Sequence, residues 1–266
     1  MSVLQEIISL NYQMIIQQIQ ACIRNKVISS GKDGVVLGLS GGLDSTVTAF
    51  LATKALGNDK VLALIMPDRR ITPIQDIRDA KEVANMLNIE YKIIEIEPIH
   101  KAFMQNLKVD RLAEGNLRAR IRMCILYYHA NLLNRLVMGT SDRSEVLIGY
   151  FTKYGDGGVD FNPLTCLFKT QVKELARVIG VPERVIIKKS SPRLWLNQTA
   201  EDEIGLPYEI IDQILYLTFD KALPREEVAK RIGINLDGVI KILEMYEQTR
   251  HKRMPPDVCY LRLNYK

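Results

Sequence analysis

The densest chemical signal in the chain is Gly38-Leu39-Ser40-Gly41-Gly42-Leu43-Asp44-Ser45. Adjacent glycines let the backbone turn tightly, so that successive amide N–H groups form a concavity for an anion, and a helix starting there adds the positive end of its dipole. Ser40 and Ser45 add hydroxyl donors. The lysine of a GxxxxGK[ST] phosphate loop is missing, and an aspartate stands in the turn instead. A bare carboxylate would be repelled by phosphates, so Asp44 makes sense beside them with Mg²⁺ in between. Taken alone, the stretch also reads as a glycine turn capped by Asp44. A strand before it and a helix after it favour the phosphate reading.

The elements that must position this turn follow from periodicity. Val35–Leu39, Val61–Met66 and Tyr91–Ile96 read as strands, with a fourth, short one near Leu136–Gly139. Helical spacing runs through Leu4, Ile8, Tyr12, Ile15, Ile19 and Ile23 as one amphipathic first helix, and again over Thr46–Leu56, Pro73–Leu87 and Asn116–Leu133. Strands alternating with helices imply parallel pairing, and continuous apolar strands imply a sheet covered on both faces. The expected fold is α/β, a doubly wound parallel sheet. Beyond Pro163 the pattern is helical, over Thr170–Ile179, Tyr208–Phe219, Arg225–Ile232 and Leu236–Arg250, a C-terminal helical extension. No internal repeat or long linker divides residues 1–266, and a single domain is the economical reading.

Composition narrows the partners. The 266 residues are 47% hydrophobic and 25% charged, which excludes a disordered or fibrous chain. A net charge of +5 suits an anionic ligand but is too small to argue for nucleic acid. Cys22, Cys124, Cys166 and Cys259 are scattered without a CxxC pair, so reduced thiols are expected rather than a disulfide or zinc scaffold. No apolar run reaches the ~18 residues of a membrane span, and Met1–Tyr12 lacks a basic leader region, so a cytoplasmic chain without membrane contact is expected.

The turn resembles the SGGxDS pyrophosphate loop of the ATP pyrophosphatases, which split ATP between its α and β phosphates. Within that group the middle of the chain is similar to the NAD synthetases, at Gly115-Asn116-Leu117-Arg118-Ala119-Arg120-Ile121-Arg122-Met123 and Gly139-Thr140-Ser141-Asp142-Arg143-Ser144-Glu145. The likeness continues through Phe151-Thr152-Lys153-Tyr154-Gly155-Asp156-Gly157-Gly158, Ser191-Pro192-Arg193-Leu194-Trp195, Gln198-Thr199-Ala200-Glu201-Asp202-Glu203 and His251-Lys252-Arg253. It covers roughly residues 30 to 255.

The resemblance implies ATP-dependent amidation of nicotinic acid adenine dinucleotide (deamido-NAD) to NAD through an acyl-adenylate, with release of AMP and pyrophosphate. It assigns Gly38, Leu39, Ser40, Gly41, Gly42, Leu43, Asp44 and Ser45, with Thr140, Lys169 and Ser191, to ATP. Asp44 and Glu145 fall to Mg²⁺, and Arg120, Lys153, Asp160, His251 and Lys252 to deamido-NAD. Ser191 stands where many relatives have threonine, and Asp142 is at a variable position and is assigned nothing. Asp156 is the candidate ammonium site. The glutamine-using members carry an extra N-terminal amidase domain. With the turn beginning near residue 38 there is no room for one, so free ammonia, or a separate glutaminase, is the expected donor. A homodimer is implied, and the helix face bearing Met123, Ile125, Leu126 and Tyr127 is read either as its contact or as core.

Each assignment has a plainer competitor. Glu145, three residues after Asp142, fits the last position of a capping box. Lys169 opens a helix, where the dipole disfavours a cation, so a bound phosphate explains it better than helix stability. Arg118, Arg120 and Arg122 splay around a helix, so one faces ligand while the others are surface. His251-Lys252-Arg253 at a helix end also reads as charge complementing the dipole. Trp195 reads as a packing anchor, His100 and His129 as structural, and the glycines after Asp156 as a mobile loop over the site. An RNA thiolase is disfavoured by the lack of paired cysteines and of a dense basic tract. A non-catalytic nucleotide-binding module is disfavoured by the presence of both Asp44 and Glu145.

Overall fold

The computed structural model describes residues 1–259 and 261. Four strands, β1 (Val35–Gly38), β2 (Val61–Ile65), β3 (Glu90–Ile93) and β4 (Leu136–Val137), form a parallel sheet in the order β3-β2-β1-β4. Val35 pairs with Val61 on one side and with Leu136 on the other, so β1 is central and its carboxyl end opens where neighbouring connections diverge. Crevices outside the carboxyl ends of strands at such a point are where open α/β sheets bind ligands. The expected fold class is borne out.

Alternate side chains of β1 and β2 feed two cores, as a sheet buried on both faces requires. Val35, Leu37, Ala63 and Ile65 pack under α2 (Tyr12–Ser29), α3 (Leu43–Leu56), α4 (Ile74–Met86) and α8 (Lys169–Ile179). Val36, Leu62 and Leu64 pack against Ile121 and Ala130 of α6 (Arg111–Leu132) and Ile96 before α5 (Glu97–Met104). A third core joins α1 (Val3–Ile8), α7 (Arg143–Ile148) and Phe168 to the C-terminal helices α10 (Ala200–Ile204), α11 (Tyr208–Leu215), α12 (Arg225–Ile232) and α13 (Leu236–Gln248). Short α9 (Glu183–Ile186) follows α8, and α14 (Arg250–Arg253) follows α13.

Several boundaries differ from expectation for local reasons. The first amphipathic stretch is two helices, because Ser9 closes α1 and the Asn11 side chain caps α2 by accepting from the Met14 amide. α6 begins five residues before Asn116, since Asp110 caps it through the Ala113 amide. The helix read over Tyr208–Phe219 is regular only to Leu215, and a π-helical turn covers Tyr216–Asp220. The strand near Leu136–Gly139 is two residues long, extended by a single bridge from Met138 to Phe161. On the α6 face that carries Met123, Ile125, Leu126 and Tyr127, the last three are half-buried against one face of the sheet and Met123 lines a cavity, while the neighbouring Tyr128 and Leu132 are about two-thirds exposed, at 66% and 65%. Among the described residues no helix is long and apolar enough to cross a membrane.

Candidate active site

The glycine turn lies between β1 and α3 as expected. Gly41 has φ +78°, and a Cβ there would collide with the Asp76 carbonyl. Both facts require glycine. The Ser40 and Ser45 hydroxyls lie 3.0 Å apart, Ser45 Oγ donates to the Gly42 carbonyl at 3.1 Å, and the Ser40 amide donates to Ser45 Oγ at 3.2 Å. The hydroxyls thus brace the turn, while the first-turn amides of α3 have no acceptor within their own helix. Lys188 Nζ steadies the turn from outside, donating to the Gly41 carbonyl at 2.8 Å and to Asp76 and Asp79.

Beside the turn, Lys169 Nζ stands 2.8 Å from Asp44, 2.7 Å from Asp142 and 2.8 Å from Glu145. The lysine is 1% exposed, and the Tyr208 ring lies 5.2 Å from its Nζ. Burial alone would push the Lys169 pKa down, but the three carboxylates lift it well above its ordinary value, so the ammonium persists. Burial drives Glu145 well up and Asp142 up, against the opposing pull of Lys169. Three carboxylates face one ammonium, so when ionised the cluster retains negative charge. One oxygen of each lies within 4.8 Å of the others, and Asp44 Oδ1 is buried without a protein partner. An unpaired buried carboxylate oxygen in an anionic, all-oxygen set is the donor pattern of a hard divalent cation.

Asp142, which sequence reasoning left unassigned, is therefore central. Its Oδ1 accepts from the Glu145 amide at 2.9 Å, capping α7. Half of the expected capping box forms, while the Glu145 side chain turns to Lys169 instead. The Asp142–Glu145 spacing was the available signal.

Asp44, Glu145 and Lys169 lie on the wall of a cavity of about 830 Å³, with Asp142 buried behind them, and the cavity also presents Gly38, Leu39, Ser40, Gly42, Leu43, Ser45, Thr140, Asp156, Ser191 and Lys252. Asp156 accepts from the Thr152 amide at 2.9 Å, and its exposed side chain lines the cavity. Ser191 Oγ donates to the Gln198 carbonyl at 2.5 Å. Lys252 Nζ donates to the carbonyls of Gly149 and Phe151 at 2.7 and 2.8 Å, and burial lowers its pKa.

The structure does not bring Arg120, Lys153, Asp160 or His251 onto that wall. Arg120 reaches the Lys153 carbonyl at 3.3 Å, and Asp160 clasps the Val137 amide at 2.7 Å. Lys153 and Lys252 share a second hollow of about 220 Å³. Of Arg118, Arg120 and Arg122, it is Arg122 that lines the cavity, and it donates to the Met66 carbonyl at 3.0 Å. Arg118 is buried against Asp68 at 2.9 Å and also holds the Leu194 carbonyl at 3.2 Å. The splayed spacing allowed for one ligand-facing arginine, for which the resemblance named Arg120, whereas the residue on this cavity is Arg122. Trp195 is on the wall, with Arg111 4.9 Å from its ring on another side.

A parallel sheet that ends in a braced glycine turn, next to three carboxyl groups gathered around one buried lysine, defines an α/β protein with its polar cluster at the carboxyl end of the sheet. Comparison with known proteins names the group. The NAD synthase family matches residues 15–256, and the chain belongs to that family. It is 51% identical over 256 residues to an NH(3)-dependent NAD(+) synthetase of Hyperthermus butylicus, covering 95% of this chain and 93% of the relative. Among solved structures it resembles the NMN synthetase of Francisella tularensis, with TM-score 0.84 and 34% identity over 95% of this chain and all of the other. It also resembles the NH3-dependent NAD synthetase of Campylobacter jejuni, with TM-score 0.81 and 34% identity over the same shares of the two chains.

Proposed function

We propose that this chain joins free ammonia to the nicotinate carboxylate of deamido-NAD at the expense of ATP, yielding NAD, AMP and pyrophosphate. The observation that carries the reading is Lys169 held by Asp44, Asp142 and Glu145 beside the glycine turn, on the wall of the large cavity. The use of ammonia is supported by relatives of nearly equal length that are named for it.

A carboxylate is a poor electrophile until activated. One of its oxygens attacks the α-phosphorus, the bond from that phosphorus to pyrophosphate breaks, and an acyl-adenylate forms. The ammonia lone pair then adds to the carbonyl carbon, the bond to the AMP oxygen breaks, and a proton is released to solvent. The protein's task is alignment and charge stabilisation. The turn from Gly38 to Ser45 holds the phosphates through its amides, and Lys169 donates to the departing pyrophosphate. Thr140 and Ser191, which line the same cavity, bind ATP as well. Asp44 and Glu145 would hold Mg²⁺, which fits the unpartnered Asp44 oxygen and the charge of the set. When bound, it supplies positive charge against the leaving group.

Arg120, Lys153, Asp160, His251 and Lys252 hold the dinucleotide, and Asp156, whose carboxyl opens to the cavity, receives ammonium. The chain works as a single unit over 1–266, in the cytoplasm and as a homodimer; a solution mass of 30.3 kDa, that of one chain, would rule the dimer out. Purified protein supplied with ATP, magnesium chloride, ammonium chloride and deamido-NAD forms NAD and AMP in equal amounts. Formation of ADP, or ATP turnover indifferent to the dinucleotide, contradicts the reading. Preferential use of nicotinic acid mononucleotide would move the substrate to the one suggested by the Francisella likeness.

A further inference from the structure

We infer that Asp212 is a positioning residue for Lys169, acting through Ser144 and the first amides of α8 to fix where the ammonium stands. The inference rests on the reading of Lys169 as a phosphate contact. Asp212 lies on α11 and is fully buried. One of its oxygens accepts from Ser144 Oγ at 2.5 Å and the other from the Thr170 amide at 2.8 Å. Ser144 Oγ in turn accepts from the Lys169 amide at 3.0 Å. The hydroxyl has one proton, given to Asp212, so its lone pair faces the Lys169 N–H and the polarity of the chain is set throughout.

Helix stability alone does not call for this arrangement. The residue before α8, Phe168, has no side-chain acceptor, so the amides of Lys169 and Thr170 rely on the clasp from α11 and α7. A serine, threonine or asparagine at the Phe168 position would cap the helix locally, without burying a carboxylate. A cap delivered from elsewhere does more, because it registers three elements against one another. Ser144 sits between Asp142 and Glu145, so the clasp that fixes the Lys169 backbone also fixes the turn carrying two of its three carboxylate partners. Lys169 reaches the phosphate site from a backbone locked on both of its first amides, and small shifts there move Nζ directly.

The test is a double-mutant cycle on binding of the α,β-methylene analogue of ATP with magnesium chloride, measured by calorimetry. Losing a hydrogen bond to a charged group costs enough to weaken binding about tenfold. Asp212→Asn in the otherwise native chain is therefore expected to weaken the analogue about tenfold, and Lys169→Met by more. In the Lys169→Met background, Asp212→Asn has little further effect, within about twofold, because the group it positions is gone. A merely structural Asp212 would lower affinity by the same factor in both backgrounds, or lower only thermal stability, and either result overturns the inference. If Asp212→Asn does not fold, Ser144→Ala is measured in the same two backgrounds with the same expectation, since it removes the hydroxyl and leaves the Asp212–Thr170 bond. Failure of the broader reading is separate: the native chain would bind the analogue, and the cycle would still couple, while no NAD formed from deamido-NAD.

Discussion

A lysine at the first position of a helix meets the unfavourable end of the dipole, and Lys169 is buried as well. Both penalties are offset by the three carboxylates around it, at the cost of confining negative charge where Asp142 has no access to solvent. That cost was half visible in the sequence: the wrong-end lysine was legible, but the partner that buries with it was not. Asp142 is defined by a contact across 27 positions that no local pattern encodes. Asp212 lies further still, 43 positions from Lys169, in a helix read only for its apolar face. Burial pushes the Asp212 pKa to about 7, against the bonds from Ser144 and Thr170. A raised carboxyl pKa means that the folded chain binds a proton the unfolded chain has released. The associated stability is present below about pH 4 and is lost as pH rises through about 7. Denaturant unfolding from pH 4 to 8 is therefore expected to show the native chain losing stability relative to Asp212→Asn. A difference that stays flat across the window would contradict the assigned burial effect.

At the scale of elements, strands and the glycine turn were legible because apolar runs and paired glycines are local signals. Helix ends were less so. Asn11 and Asp110 are ordinary polar residues until their side chains are seen accepting from amides three positions on. The bracing of the turn by α4 and by Lys188, which meet only in the fold, was not legible at all. Gly41→Ala tests that brace. It forces a side chain into a left-handed conformation and against the Asp76 carbonyl, so a stability loss of roughly 1–3 kcal/mol is expected, with weakened ATP binding. Unchanged urea unfolding with normal ATP affinity would mean that the turn relaxes freely and that its geometry is not set by α4.

At the scale of the whole molecule, the site is assembled between layers. The sheet and α3 contribute the turn and Asp44, α7 contributes Glu145, and α8 contributes Lys169 where the sheet core meets the C-terminal helical core. Neither core alone surrounds the cavity, which explains why the matched motifs are spread over most of the chain. Arg120, Lys153, Asp160 and His251 were legible as a set from resemblance, and the packing places none of them on this wall. The central claim is that the pyridine carboxylate attacks the α-phosphorus of ATP in this cavity. Deamido-NAD labelled with oxygen-18 in its nicotinate carboxylate, turned over with unlabelled ATP and ammonia, follows that step by mass spectrometry. One labelled oxygen is predicted to appear in AMP and the other in the amide of NAD. Label found in pyrophosphate, or AMP formed without any, would contradict it.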